Sequence, residues 1–118
     1  MKRIYVAGAY SSDNVIGVLN NIREGLRWST LIFLKGHAPF SPWLDFHYQL
    51  MLRDGESLAV KDYYDYSLAW LYVSDIVFVV PNWEKSNGTK REIEEAKTRG
   101  IPVVYSMEEL EREAMRDG

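Results

Sequence analysis

The chain has 118 residues, of which 47% are hydrophobic and 26% charged, and its formal net charge is -3 at pH 7. This composition excludes a disordered chain, and without a basic excess it gives no electrostatic basis for binding nucleic acid polymers or anionic membranes. Cysteine is absent, which excludes disulfides and thiol chemistry.

The length predicts a single domain over residues 1–118 with one hydrophobic core. The apolar stretch after Met1 is too short for a signal peptide or a membrane span, so a cytoplasmic location is expected. Four Trp and eight Tyr are many for so short a chain, and they indicate aromatic-lined pockets or contacts between subunits.

The N-terminal half predicts two strands around a long helix. Residues 3–7 read as a strand, residues 14–35 as a helix and residues 37–41 as a second strand. The helix has apolar residues on one face at spacings of four, three and four: Val15, Leu19, Ile22 and Leu26. Residues 43–56 predict a loop that holds one short helix.

The C-terminal half predicts two more helix–strand units and a last helix. Residues 58–73 are helical, with an inward face of Tyr64, Leu68, Leu71 and Tyr72. Residues 75–80 form a central buried strand, because their apolar run lacks the alternation of a half-exposed strand. Residues 88–99 are a helix, residues 102–105 a strand, and Ser106 opens the last helix.

Strands that alternate with helices at this spacing predict an α/β fold, specifically a three-layer, flavodoxin- or Rossmann-like parallel sheet of four to five strands flanked by helices. In such a sheet, ligands bind at the carboxyl ends of the strands. The loops expected to meet there are residues 8–13, 41–47 and 81–88.

The first loop begins at Gly8, which lets a ligand approach the backbone closely. It lacks the further glycines of a dinucleotide fingerprint and is no P-loop. Ser11 and Ser12 offer hydroxyls to a sugar or a phosphate. The simpler interpretation is that Ser12 or Asp13 caps the following helix.

In the second loop, Asp45 and His47 lie beside Trp43. An Asp-x-His pair is too small a set for a metal site without a third ligand nearby, so no metal is expected. One of the two could instead orient or protonate a leaving group.

Glu92 follows the third loop and has two interpretations. With Thr89 it forms a T-x-x-E capping box, in which its carboxylate only satisfies a backbone N–H. Alternatively, the helix dipole stabilises a first-turn carboxylate as the anion, which suits a nucleophile. The loop before it carries ligand-binding residue types: Trp83 for stacking, Ser86 and Asn87 for hydrogen bonds, and Gly88 for close approach.

Three segments resemble, in order, the nucleoside 2-deoxyribosyltransferase-like superfamily: residues 5–10 (YVAGAY), 70–77 (WLYVSDIV) and 86–96 (SNGTKREIEEA). That group includes 2′-deoxynucleoside 5′-phosphate N-hydrolases and uncharacterised bacterial, archaeal and phage domains, and the PNWEKSNG stretch at 81–88 is most similar to the latter. The Ser-x-Gly-x-x-x-Glu element is the most specific motif.

The resemblance implies cleavage of an N-glycosidic bond through a carboxylate nucleophile. It also implies a homo-oligomer, a dimer or a dimer-based tetramer, with active sites near subunit contacts. By position, Glu92 matches the nucleophile and Tyr5 the tyrosine that holds it. Gly8, Ser86 and Gly88 match the loops around the sugar and phosphate.

Two positions depart from the pattern of the hydrolases. An aspartate that assists catalysis is replaced here by Ser67, and the nearest acid is Asp65, which is either a surface residue or a catalytic group. The hydrolases also carry an arginine in the first loop for the 5′-phosphate, and residues 11–13 offer none. The choice between nucleoside and nucleotide therefore stays open.

We expect an enzyme without cofactor or metal that acts on a (deoxy)nucleoside or its 5′-monophosphate, with no nucleic acid polymer or membrane as partner. The alternatives are a non-catalytic nucleotide-binding or sensing module and an interaction protein with an empty pocket. The expected catalytic residues are Glu92, Tyr5 and Asp65. The expected substrate contacts are Gly8, Tyr10, Ser12, Trp43, Asp45, His47, Trp83, Ser86, Asn87 and Gly88.

Overall fold

A computed structural model describes residues 1–116. Its strands form one sheet and are, in chain order, β1 (Arg3–Ala7), β2 (Ala38–Phe40), β3 (Ile76–Val79) and β4 (Val103–Val104). Neighbouring strands are parallel throughout, in the order β2-β1-β3-β4. The predicted α/β fold with a parallel sheet is therefore confirmed, with four strands in the described residues.

Helices connect and flank the strands. They are α1 (Val15–Leu34), a 3-10 helix (Pro42–Asp45), α2 (Phe46–Leu50), α3 (Val60–Leu71), α4 (Asn87–Thr98) and α5 (Met107–Ala114). Within residues 1–116, no helix is both long and apolar enough to cross a bilayer.

The two faces of the sheet carry separate apolar clusters, which gives the three-layer arrangement. On one face, α1 and α5 pack on the sheet through Ile32 and Leu110. On the other face, α3 and α4 pack through Leu71, Ile93 and Ala96. Because β1 and β3 are buried on both faces, their apolar runs have no polar alternation, as predicted for the central strand.

Helix α1 differs from its prediction in its buried face. Val15 is 73% exposed, and the buried positions are Gly25, Ser29 and Ile32. A 20-residue helix is about 30 Å long, whereas a five-residue strand spans about 17 Å, so the first turns of α1 extend past the sheet. The capping prediction for Ser12 or Asp13 is also wrong, because Asn14 caps the helix by accepting from the backbone N–H of Gly17 at 2.8 Å.

Trp43 is the largest fully buried side chain and lies between α1 and the end of β1. A Cβ atom on Gly25 would lie 2.4 Å from Cδ2 of this indole, and one on Gly8 would lie 2.9 Å from its Cζ2. The indole Nε1 donates to the carbonyl of Ala9 at 3.0 Å, which fixes the ring. Glycine is therefore required at both positions because the indole occupies the space of a side chain.

We predict that Gly25→Ala destabilises the fold by about 2 kcal/mol, although alanine favours a helix interior by about 1 kcal/mol. The reason is the contact with an indole that cannot move without losing its hydrogen bond. Gly88→Ala is the matched control, because a Cβ there meets nothing within 4 Å. Urea unfolding measures both changes, and equal stability of the two variants would contradict the prediction.

Candidate active site

A cleft of about 530 Å³ lies at the carboxyl ends of β1, β2 and β3, within the size range of small-molecule sites. The three loops named from the sequence all contribute to it, together with one face of α3. Its lining residues are Gly8, Ala9, Tyr10, Ser11, Pro42, Trp43, Asp45, Val60, Tyr63, Tyr64, Ser67, Asn82, Lys85, Ser86, Asn87, Gly88 and Glu92.

Glu92 is a buried carboxyl in the wall of this cleft, with 9% of its surface exposed. Its Oε2 accepts a hydrogen bond from the phenol of Tyr5, which lies on β1 and is fully buried. Phe40 of the neighbouring strand stacks on the Tyr5 ring at 5.6 Å between centroids. The carboxyl is therefore held beside β1 by the phenol of Tyr5, and packing against Phe40 fixes that phenol in turn.

The capping-box interpretation of Thr89 and Glu92 is wrong. The hydroxyl of Ser86 caps α4 by accepting from the backbone N–H of Thr89 at 3.2 Å, and Thr89 is buried. Glu92 is consequently the sixth residue of α4 and lies in its second turn. The helix starts three residues earlier than a Thr89 cap requires, which frees the Glu92 side chain for Tyr5.

The expectation that the helix dipole stabilises the Glu92 anion is also wrong. Because α4 begins at Asn87, Glu92 lies in the second turn, and the effect of the dipole fades beyond the first turn. Burial raises the pKa of Glu92 to about 7, and the hydrogen bond from Tyr5 opposes part of that rise. Burial, followed by the adjacent Glu92 charge, raises the pKa of Tyr5 well above its usual value. Tyr5 therefore keeps its proton and acts as a donor to the carboxylate.

Ser67, which replaces the aspartate of the hydrolases, also lines the cleft and is buried. Its hydroxyl lowers the pKa of Tyr5 by hydrogen bonding to the phenol oxygen, against the larger effect of burial. The position thus belongs to the site, but its side chain offers a neutral hydroxyl instead of an acid.

A second carboxyl–phenol pair lies in the cleft. The phenol of Tyr10, from the loop after β1, donates to Oδ1 of Asp45 at 3.1 Å. Partial burial raises the pKa of Asp45, and Tyr10 offsets part of this rise. Burial and the nearby Asp45 charge raise the pKa of Tyr10 to about 12.

Five of the residues named from the sequence are not among the described lining residues. Tyr5 lies behind Glu92 and reaches the cleft only through it, and the other four lie elsewhere. Ser12 lies against Gly17 at the start of α1. The exposed ring of His47 stacks on Phe46, and its Nδ1 donates to the carbonyl of Leu44 at 2.9 Å. Trp83 packs against Tyr105, at 5.7 Å between centroids, over the core formed with α3 and α4.

Asp65 is the fourth of these residues. It is exposed on α3 and forms an ion pair with Lys61 at 2.6 Å. Two residues along a helix amount to about 200° of rotation, so Asp65 and Ser67 lie on opposite faces. We therefore do not carry Asp65 forward as the catalytic acid.

Of the α3 wall, only position 67 was indicated from the sequence, through the resemblance, and the cation of the cleft was not. Val60, Tyr63, Tyr64 and Ser67 line the wall, and their spacings of three, one and three are those of one helical face. That periodicity could have indicated them. Lys85 is the one cation among the described lining residues, and it falls within the 81–88 loop.

Comparison with known proteins gives a family and a fold. The family described as "Domain of unknown function (DUF4406)" matches residues 2–105. No curated protein sequence matches the chain significantly. Among solved structures, a 2-deoxyribosyltransferase from the psychrotolerant bacterium Bacillus psychrosaccharolyticus superposes with a TM-score of 0.63 at 20% identity, covering 86% of this chain and 70% of that one. The chain therefore belongs to the DUF4406 family and has a fold similar to that of a nucleoside 2-deoxyribosyltransferase.

Proposed function

We propose that the protein is an enzyme that cleaves or transfers the N-glycosidic bond of a (deoxy)nucleoside or its 5′-monophosphate, with Glu92 as the nucleophile. The observation that carries this proposal is a buried carboxyl, oriented by a buried phenol, in the wall of a cleft of small-molecule size. The similarity of the fold to a 2-deoxyribosyltransferase supports the class of substrate.

The chemistry requires two displacements at C1′ of the sugar. As the C1′–N bond breaks, its electron pair leaves with the base, and an oxygen of Glu92 bonds to the oxocarbenium-like C1′. Water or a second base then attacks C1′ and regenerates the carboxylate. Water gives hydrolysis and a base gives transfer, both with retained configuration.

Burial and Tyr5 serve this role in different ways. A desolvated carboxylate is a stronger nucleophile than a hydrated one, but it is protonated below a pH of about 7. The phenol of Tyr5 favours the ionised form and fixes one oxygen, which leaves the other oxygen for C1′. The proposed mechanism uses these side chains and needs no cofactor or metal.

The strand order suggests how a substrate lies in the cleft. The loops follow β2, β1 and β3 in that order along one edge of the sheet. Glu92 reaches the middle strand through Tyr5, so the sugar lies there. The ring of Tyr10, which is hydrogen-bonded to Asp45 on the β2 side and lies in front of the buried Trp43, forms an aromatic wall for the base. Lys85 and the start of α4 lie on the β3 side, next to the 5′ group.

We also propose that the protein forms a homo-oligomer. Large apolar side chains on α3 are exposed, among them Val60, which lines the cleft, at 86% and Trp70 at 48%. A homodimer or a dimer-based tetramer would cover such surface and place active sites near subunit contacts.

We predict that Glu92→Gln abolishes base release while the fold is retained, with a loss of at least about 10³-fold because the amide cannot form the covalent bond. Chromatography of released base, from a panel of ribo- and deoxyribonucleosides and their monophosphates, measures this loss. Glu95→Gln is the matched control, because Glu95 accepts from Tyr72 at 3.0 Å on the same helix but does not line the cleft.

Two outcomes would contradict this assignment. Base release that survives in Glu92→Gln would remove Glu92 from the role of nucleophile. Nucleotide-dependent thermal stabilisation of wild type, without turnover of any panel member, would favour the non-catalytic binding module instead.

We predict that activity rises with pH through about 7, because Glu92 must lose its proton to attack C1′. Tyr5→Phe removes the hydrogen bond that lowers the Glu92 pKa, so the acidic limb of kcat/KM shifts upward by about one pH unit. Tyr72→Phe, which removes the equivalent Tyr–Glu bond outside the cleft, leaves the profile unchanged. Identical shifts in both variants would contradict a specific role for Tyr5.

We also predict a linked effect on stability. The folded-state pKa of Glu92 lies above its unfolded value, so its contribution to stability is full below pH about 4.5 and is lost as pH rises through about 7. Glutamine does not titrate. Glu92→Gln should therefore gain stability relative to wild type between pH 5 and pH 8, by about 3 kcal/mol in urea unfolding. A difference independent of pH would contradict the raised pKa.

A further inference from the structure

We propose that Asp45 is the acid that protonates the departing base, an inference that rests on the proposed function and completes its first step. Among the described lining residues, only Asp45 and Glu92 carry carboxyl groups. They come from different elements: Asp45 ends the 3-10 helix after β2, and Glu92 lies on α4. The cleft therefore has one carboxyl for the sugar carbon and another for the base.

The place of Asp45 in the sheet puts it on the base side. β2 is the edge strand beside β1, on the side opposite β3 and Lys85. The 3-10 helix that carries Asp45 is anchored by the buried Trp43, whose Nε1 is bonded to the carbonyl of Ala9. Asp45 is thus held by a rigid element next to the aromatic wall that the base would contact.

Tyr10 prepares Asp45 for this role. Its phenol donates to Oδ1 of Asp45, and Oδ2 has no hydrogen-bond partner within residues 1–116. A carboxyl group with one oxygen accepting from Tyr10 can carry its proton on the other oxygen. Partial burial raises the pKa of Asp45 by more than the hydrogen bond from Tyr10 lowers it, and the net rise favours the protonated form that an acid catalyst needs. The contribution of Tyr10 is therefore orientation of the carboxyl group.

The other lining groups are poor proton donors. The pKa of Tyr10 is raised to about 12, and burial also raises the pKa values of Tyr63 and Tyr64. Ser67 is an ordinary hydroxyl, and its position beside Tyr5 places it with the nucleophile. Among the described lining residues, Asp45 is therefore the one acid that faces the cleft from the base side.

Asp45 loses its proton in the first displacement and regains one in the second. As the C1′–N bond breaks, the proton of Asp45 goes to a base nitrogen, so the base leaves neutral. In the second step the Asp45 carboxylate takes a proton from the attacking water or base, while the C1′–O bond to Glu92 breaks. Both carboxyl groups then return to their starting forms.

A substrate whose base leaves without a proton tests this role. The probes are an N7-methylated purine nucleoside and the 4-nitrophenyl glycoside of the same sugar, compared with the unmethylated parent nucleoside. The variant is Asp45→Asn, whose amide oxygen can still accept from Tyr10. We expect kcat/KM to fall about 10²–10⁴-fold for the parent nucleoside and less than about tenfold for both probes.

Other outcomes overturn the proposal. An equal loss on all three substrates would mean that Asp45 only positions or supports the site, and no loss on any would exclude it altogether. A selective loss in Asp65→Asn or His47→Gln would transfer the role to that residue. Wild-type protein that turns over none of the substrates would overturn the proposed function and this inference together.

Tyr10→Phe gives a second test in case Asp45→Asn folds poorly. It leaves the carboxyl in place and removes only the hydrogen bond that orients it. The expected result is the same dependence on the leaving group, with a smaller loss of about tenfold on the parent nucleoside. A loss of the same size on the parent and the probes would overturn the proposal.

Discussion

The hydrogen bond from Tyr5 to Glu92 joins the central strand β1 to α4, and the proposed chemistry depends on it. It keeps an ionisable carboxyl in a buried position where desolvation alone would hold it protonated. No salt bridge offsets the desolvation free energy of this carboxyl within residues 1–116, since its hydrogen-bond partner is a neutral phenol. A group kept at such cost in the wall of a cleft is typical of a site selected for reactivity rather than stability.

Trp43 links the fold to the shape of that cleft. Its indole fills space beside Gly8 and Gly25, bonds to the carbonyl of Ala9, and carries the 3-10 helix that ends at Asp45. Trp43 therefore holds the first loop against the second loop, in addition to the hydrogen bond between Tyr10 and Asp45. Packing on the α1 face consequently fixes the base side of the cleft, whereas packing on the α3 and α4 face fixes Glu92.

The sequence predicts those parts of the structure that depend on local patterns. The buried strands follow from unbroken apolar runs, and the convergence of three loops follows from a parallel sheet. The contact between Tyr5 and Glu92, which are 87 positions apart, has no local pattern, and only the resemblance to a known superfamily paired them.

The sequence does not decide which of several neighbouring residues caps a helix or faces the cleft. Asn14 competes for the cap of α1 with Ser12 and Asp13, and Ser86 competes with Thr89 for that of α4. All of these side chains can accept the capping bond, so tertiary packing decides among them. Local pattern also does not decide whether Asp65 or Ser67 faces the cleft, because the rotation of α3 about its axis depends on what the helix packs against.

Trapping the proposed covalent intermediate would show directly whether Glu92 is the nucleophile. A 2′-fluoro nucleoside that the enzyme accepts slows both displacements, since fluorine destabilises the oxocarbenium-like transition states, and intact-protein mass spectrometry with peptide mapping locates any adduct. We expect release of one equivalent of base and a fluorosugar attached to Glu92. Base release with no adduct, or with the sugar on another residue, would contradict it.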